Sequence, residues 1–195
     1  MQITIDTLKK TIAKKGYKWF DNAPNIIGIR TNLQVPDVFN DVMCVVYKDG
    51  GVEKLFTATF TSEPGVAYQK KLLNPKGCWV MMPAQMVDAY TMGFHQGKAD
   101  HRALRSTGKI FGLRDADLDG IAGNSGTPAW AEGSGIGANV HGANKAGVTS
   151  KIGPWSAGCM VLNDWKKKEE MMNILDKFYK GQKYTYTLIT ESDLA

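Results

Sequence analysis

Glycine is spread unevenly along this 195-residue chain: 11 of its 21 glycines fall between Gly112 and Gly158. Such density favours tight turns and close backbone approaches over long regular elements. It marks off a loop-rich functional region from a more regular scaffold before it. Two short strands are expected inside that region, near 138–141 and 159–162. The region also holds one histidine and one cysteine framed by glycine, in Asn139-Val140-His141-Gly142 and Trp155-Ser156-Ala157-Gly158-Cys159.

The scaffold reads as mostly strand. Runs 26–30, 42–47, 52–60, 77–82 and 108–113 are rich in β-branched and aromatic residues. Lys48-Asp49-Gly50-Gly51 makes a good hairpin turn between two of them. Residues 6–15 predict an amphipathic helix, with Asp6 as its N-cap, Leu8 and Ile12 on one face, and Gly16 as its stop. A second helix starts at Asn163 or Asp164 and runs to about residue 180, with Trp165, Met172, Ile174, Leu175 and Phe178 mostly on one face. Residues 184–189 alternate as a final strand. The expectation is a β-rich α+β protein with an N-terminal and a C-terminal helix. It forms one domain over 1–195, with 1–24 as a helical extension and 25–195 as the core.

Composition excludes several classes. Hydrophobic content of 43% and charged content of 22% are ordinary for a globular chain. No apolar run approaches the ~18 residues of a membrane span. The net charge of +5 fits a mildly basic surface, or attraction to an acidic partner such as cell wall or nucleic acid. No nucleic-acid-binding motif accompanies it. Lys9, Lys10, Lys14 and Lys15, and Lys166, Lys167 and Lys168, read as solvated helix faces. Residues 1–6 lack a signal-peptide pattern, so the expectation is synthesis in the cytoplasm. Action at the cell wall or periplasm would then follow lysis or delivery in a virion.

A cysteine nucleophile needs a base to take its proton and backbone donors to hold an oxyanion. With three histidines and three cysteines, few pairs can do this. Cys44 and Cys78 lie in apolar runs and read as buried small hydrophobes. Cys159 is flanked by small residues, as a usable thiol should be. His141 beside it would form an ion pair and raise its thiolate fraction. Gly158 and Cys159 N–H groups would hold the oxyanion. The group that orients the imidazole is the Gly142 carbonyl or a nearby loop. The bland alternative is a histidine and a cysteine that merely pack in a glycine-rich loop.

Other features carry weaker signals. His95 and His101 read as loop histidines, with His95 a candidate substrate contact. A zinc-peptidase pattern fails here, because Asp100 follows His95 at the wrong spacing. Asp115, Asp117 and Asp119, followed by Gly120, form the first half of a calcium loop, but Gly126 stands where the bidentate glutamate belongs. The two readings are a calcium site and an acidic solvated turn. Gly133-Ser134-Gly135-Ile136-Gly137 lacks a nucleotide-binding fingerprint. Trp130 and Trp155 are suited either to walling a cleft or to packing under the loop.

His141-Gly142 followed, 18 positions after the histidine, by Cys159 within Ser156-Ala157-Gly158-Cys159 resembles the L,D-transpeptidase catalytic domain. The resemblance implies a β-sandwich-like domain in which Cys159 attacks a carbonyl in peptidoglycan stem peptides and forms a thioester. His141 would serve as general base and then acid, and Ser156, Ala157, Gly158, Gly142, His95 and Trp155 would border the oxyanion and substrate. No cofactor is required. Two departures matter. Ala157 stands where the family has a second histidine, and Met160-Val161 replaces a region where it carries an arginine. Ser-Ala-Gly-Cys and the opening Lys-Gly-Tyr … Asn-Ile-Ile-Gly-Ile-Arg are similar to phage-encoded relatives, for which cutting the wall is more useful than cross-linking it. The expected activity is a murein peptidase. A cross-linking L,D-transpeptidase and a non-catalytic virion or wall-binding module are the alternatives.

Overall fold

The computed structural model describes residues 2–33 and 35–194. Met1, the first residue of the expected helical extension, lies outside them, as do Gln34 and Ala195. Among the described residues, no helix is long and apolar enough to cross a membrane.

Among the described residues, eleven strands form: β1 (Asn25–Arg30), β2 (Asp41–Asp49), β3 (Val52–Thr61), β4 (Cys78–Met81), β5 (Ala84–Phe94), β6 (Arg102–Ser106), β7 (Lys109–Asp115), β8 (Ala129–Glu132), β9 (Val140–Gly142), β10 (Met160–Leu162) and β11 (Tyr184–Thr190). Four helices accompany them: α1 (Ile5–Lys14), α2 (Val66–Lys70), α3 (Gly133–Ile136) and α4 (Trp165–Asp176). Eight strands close into a mixed barrel in the order β1-β11-β5-β6-β9-β10-β3-β2. A second antiparallel sheet has the order β4-β7-β8.

This closed barrel corrects the expected sandwich with a helix at each end. The strands responsible are β5 and β6. They link β11 to β9 and so remove the free edges that a two-sheet sandwich would keep. Their sequence hides them: β5 contains Asp88 at φ +49°, and the β5–β11 register shifts opposite it, between Tyr184 and Tyr186. Its burial follows no simple alternation. The later long helix, α4, is also not terminal, since β11 and a 3₁₀ turn follow it.

β1 shows why the barrel needs a covered flank. It pairs with β11 in parallel and with β2 antiparallel, and all of it is buried. Ile26 points into the core beside Met43 and Phe60. Ile27 and Ile29 point outward and meet Leu8 and Ile12 of α1. Thus α1 seals that side, each large apolar group contributing roughly 1.5–3 kcal/mol of burial. Its N-cap is Thr4 rather than Asp6: Thr4 Oγ1 accepts the Thr7 N–H, and Thr7 Oγ1 accepts the Thr4 N–H. Inside the barrel, Tyr90 and Tyr186 meet edge-on at 5.7 Å. A Cβ at Gly28 would sit 2.0 Å from Tyr186 Oη, so β1 needs glycine there.

The β2–β3 hairpin turns through Gly50 and Gly51, both at positive φ. Cys44 and Cys78 are buried on β2 and β4, and all three thiols are free. One lysine departs from the solvated face expected of it: Lys168 is fully buried, its Nζ 3.5 Å above the Trp165 ring and paired with Glu169.

Candidate active site

β9 and β10 run in parallel, with His141 opposite Val161. The Met160 N–H donates to the Asn139 carbonyl at 2.9 Å, which fixes the entry to β10. Cys159, immediately before β10, is thereby brought to the β9 side of the sheet. Its Sγ and one ring nitrogen each from His141 and His95 all lie within 4.8 Å of one another.

His141 is 2% exposed. Its Nδ1 lies 2.8 Å from the Gly142 carbonyl, an atom that can only accept. Nδ1 therefore carries the proton, and Nε2 is left as the acceptor. Nε2 is buried and has no hydrogen-bond partner among the described residues. Of the two candidates for orienting the imidazole, the structure uses the Gly142 carbonyl. The position beside the histidine is tight: a Cβ at Gly142 would meet Trp165 Cε3 at 3.0 Å and Lys168 Cε at 3.1 Å, and these side chains would have to give by a few tenths of an ångström.

All three histidines of the chain meet here. The His95 and His141 rings stack at 3.8 Å, and His101 meets His141 edge-on at 5.3 Å. His101 also packs on Trp165 at 4.7 Å. Burial first, and then the like charge of His95, push His141 down to about 3. The same two causes push His101 down to about 4. Burial also lowers His95. The Cys159 thiol keeps partial access to solvent, but desolvation pushes it up to about 11, against a smaller lowering by the Asn139 backbone. The resting pair is thus neutral thiol and neutral imidazole. Both shifts favour the neutral pair over the ion pair expected from sequence.

No family model, no curated protein and no solved structure matches this chain.

The cysteine loop is built against its neighbours. Ser156 is fully buried, and its Oγ donates to the Cys159 carbonyl at 2.7 Å while accepting the Gly158 N–H at 3.2 Å. The Gly158 N–H is therefore occupied, whereas the Cys159 N–H has no partner among the described residues. Gly158 sits at φ +131°, and a Cβ there would lie 2.6 Å from the Trp79 carbonyl. The Ala157 carbonyl accepts the Trp79 N–H at 3.4 Å. Trp155 packs with Cys159 in a small cluster around Phe39 and Val161. It also borders a hollow of about 360 Å³ shared with His101, Trp165, Lys98 and Lys145. A larger hollow of about 500 Å³ lies along α4 by Tyr47 and contains neither His141 nor Cys159.

Three groups at the site went unassigned in the sequence. His101 reads as a loop histidine but is buried against the catalytic candidate. Asn139 places its Nδ2 3.4 Å from His95 Nδ1 while its Oδ1 accepts the Ser106 N–H. Trp79 forms the floor under Gly158. Only Asn139 carried a signal, its place two residues before His141.

The other predicted residues stand apart. Trp130 is half exposed on β8 beside Phe111 and borders a separate hollow with Gln85 and Val87. Asp115 accepts the Gly123 N–H and the Ser125 hydroxyl. Asp119 accepts the Ile121 N–H and pairs with Asn124, and Asp117 accepts the Asp119 N–H. Among the described residues, the ligating side chains that converge are His95, His141 and Cys159, and the three aspartates form no such group.

Proposed function

We propose that this chain is a cysteine-dependent hydrolase of peptidoglycan stem peptides that works through a thioester acyl-enzyme. The observation that carries the reading is the His141 geometry. Its Nδ1–H is tied to the Gly142 carbonyl, its Nε2 has no partner among the described residues, and one of its ring nitrogens lies within 4.8 Å of the Cys159 sulfur.

The chemistry runs from a neutral pair. As Cys159 Sγ attacks the amide carbon, its proton passes to His141 Nε2 and the carbonyl oxygen takes the negative charge. The Cys159 N–H, without a partner among the described residues, is the donor proposed for that oxygen, a contribution typically of about 3 kcal/mol. Collapse breaks the C–N bond, and His141 returns the proton to the leaving amine. Water then attacks the thioester, gives a proton to His141, and releases the acid and the thiol. Moving the proton only during attack suits a thiol that burial keeps protonated.

The peptidoglycan substrate rests on the motif resemblance and on the basic charge of the chain, which suits an acidic polymer. Hydrolysis is preferred over cross-linking because the Ser-Ala-Gly-Cys form is similar to phage-encoded relatives. The protein would then reach the wall after lysis or in a virion.

A second reading is a wall-binding module without turnover. It is favoured by the thiol at about 11 and by the occupied Gly158 N–H. Mass spectrometry of muropeptides incubated with wild type and Cys159→Ala separates the two. A shortened stem with wild type alone supports the hydrolase. Wall binding without product supports the module.

A further inference from the structure

We propose that His95, His141 and Cys159 form a Zn²⁺ site whose occupation masks the Cys159 thiol. That masking would switch off catalysis rests on the thiol chemistry proposed above, whereas metal binding does not.

Two independent observations point to a metal. First, two imidazole nitrogens and one sulfur lie within 4.8 Å of one another. An N₂S set suits Zn²⁺ and is foreign to Ca²⁺ or Mg²⁺, which take oxygen. Second, His141 Nε2 is a buried acceptor with no partner, on a side chain only 2% exposed. Buried polar atoms normally find partners, so an unpaired Nε2 on a histidine of this group is open to a ligand. The outer shell is also in place. Metal-bound histidine usually donates its other N–H to a carbonyl or carboxylate, and His141 Nδ1 does so to Gly142 at 2.8 Å.

The ring that must move is His95. It stacks on His141 with planes 25° apart, so the two in-plane lone pairs run side by side rather than toward one point. His95 begins a 3₁₀ turn followed by Gln96 and Gly97, both at positive φ. Its side-chain contact to Asn139 is 3.4 Å long. A rotation there turns its nitrogen to the ion while His141 and Cys159 stay in place. On binding, Zn²⁺ sheds water, the Cys159 S–H proton leaves to solvent, and a Zn–S bond forms without change of oxidation state. Three protein donors leave a fourth position for water. Both the sulfur and the Nε2 lone pair are then occupied by the metal.

The test uses the full chain freed of metal with a chelator, with Co²⁺ as optical probe and Zn²⁺ as competitor. The expected result is a near-ultraviolet thiolate-to-cobalt band that saturates at one equivalent and is bleached by Zn²⁺. Zn²⁺ should also slow iodoacetamide labelling of Cys159, a readout that needs no turnover. His95→Ala and the milder His95→Gln should each weaken Co²⁺ binding by at least about tenfold, with folding checked by circular dichroism. No band and no protection overturns the site, whatever the protein does to muropeptides. Unchanged binding in both His95 variants overturns the donor set. Protection by Zn²⁺ in a protein that never cleaves muropeptides upholds the site and removes the hydrolase.

Discussion

The ring of His95 lies 3.8 Å from the ring of His141, with their planes 25° apart. Stacking covers His141 from water and places a second titrating ring against it. Both effects disfavour the imidazolium. Replacing His95 with alanine removes both, so His141 should titrate at a higher pH than in the wild type. Ring-proton NMR of the metal-free protein reads this directly. A His141 titration that stays near 3 would show that His95 plays no part in holding it neutral.

Cys159 should be slow to alkylate at pH 7. Its thiol is pushed up to about 11 and His141 down to about 3, so little thiolate exists between those values. The labelling rate of metal-free protein should rise about tenfold per pH unit from 7 to 10, as expected for thiolate formation below its pKa. Fast labelling with an apparent pKa below 8 would mean that the two groups form an ion pair at rest.

Gly158→Ala should damage stability before chemistry. The residue holds φ +131°, and its Cβ would press on the Trp79 carbonyl at 2.6 Å. Such backbone strain costs of order 1–3 kcal/mol. Thermal unfolding should show a lowered melting temperature, and an unchanged one would mean that the loop rests elsewhere.

The Asp115 loop should behave as a hydrogen-bonded turn. Asp115 is buried and holds Gly123 and Ser125. Asp115→Ala leaves those donors unpaired and should cost about 1–3 kcal/mol. Adding calcium to wild type should leave the melting temperature where it was. A clear rise with calcium would return the loop to the calcium-binding reading.

Local signals were legible where one residue type decides an outcome. Gly50-Gly51 fixes the hairpin, and Asp164 caps α4 by accepting the Lys166 N–H. The approach of His141 to Cys159 was legible as glycine-framed short strands, although their parallel pairing was not. Barrel closure was hidden because β5 and β6 carry mixed polar and apolar residues, and closure is a property of pairing rather than of any one strand. The burial of Lys168 was hidden by its neighbours Lys166 and Lys167, which make a charged run look uniformly solvated. The direction of the shifts at the site was not legible, because proximity to a base suggests an ion pair whereas desolvation of both partners opposes it.

The proposed hydrolysis passes through a covalent thioester on Cys159. Intact-protein mass spectrometry after rapid acid quench, with purified muropeptide as substrate, tests it most directly. One acyl adduct is expected, mapped to the peptide containing Cys159, absent from Cys159→Ala and slower to form in His141→Gln. Product formation by Cys159→Ala, or turnover by wild type in which no adduct is ever trapped while His141→Gln stays fully active, would contradict it.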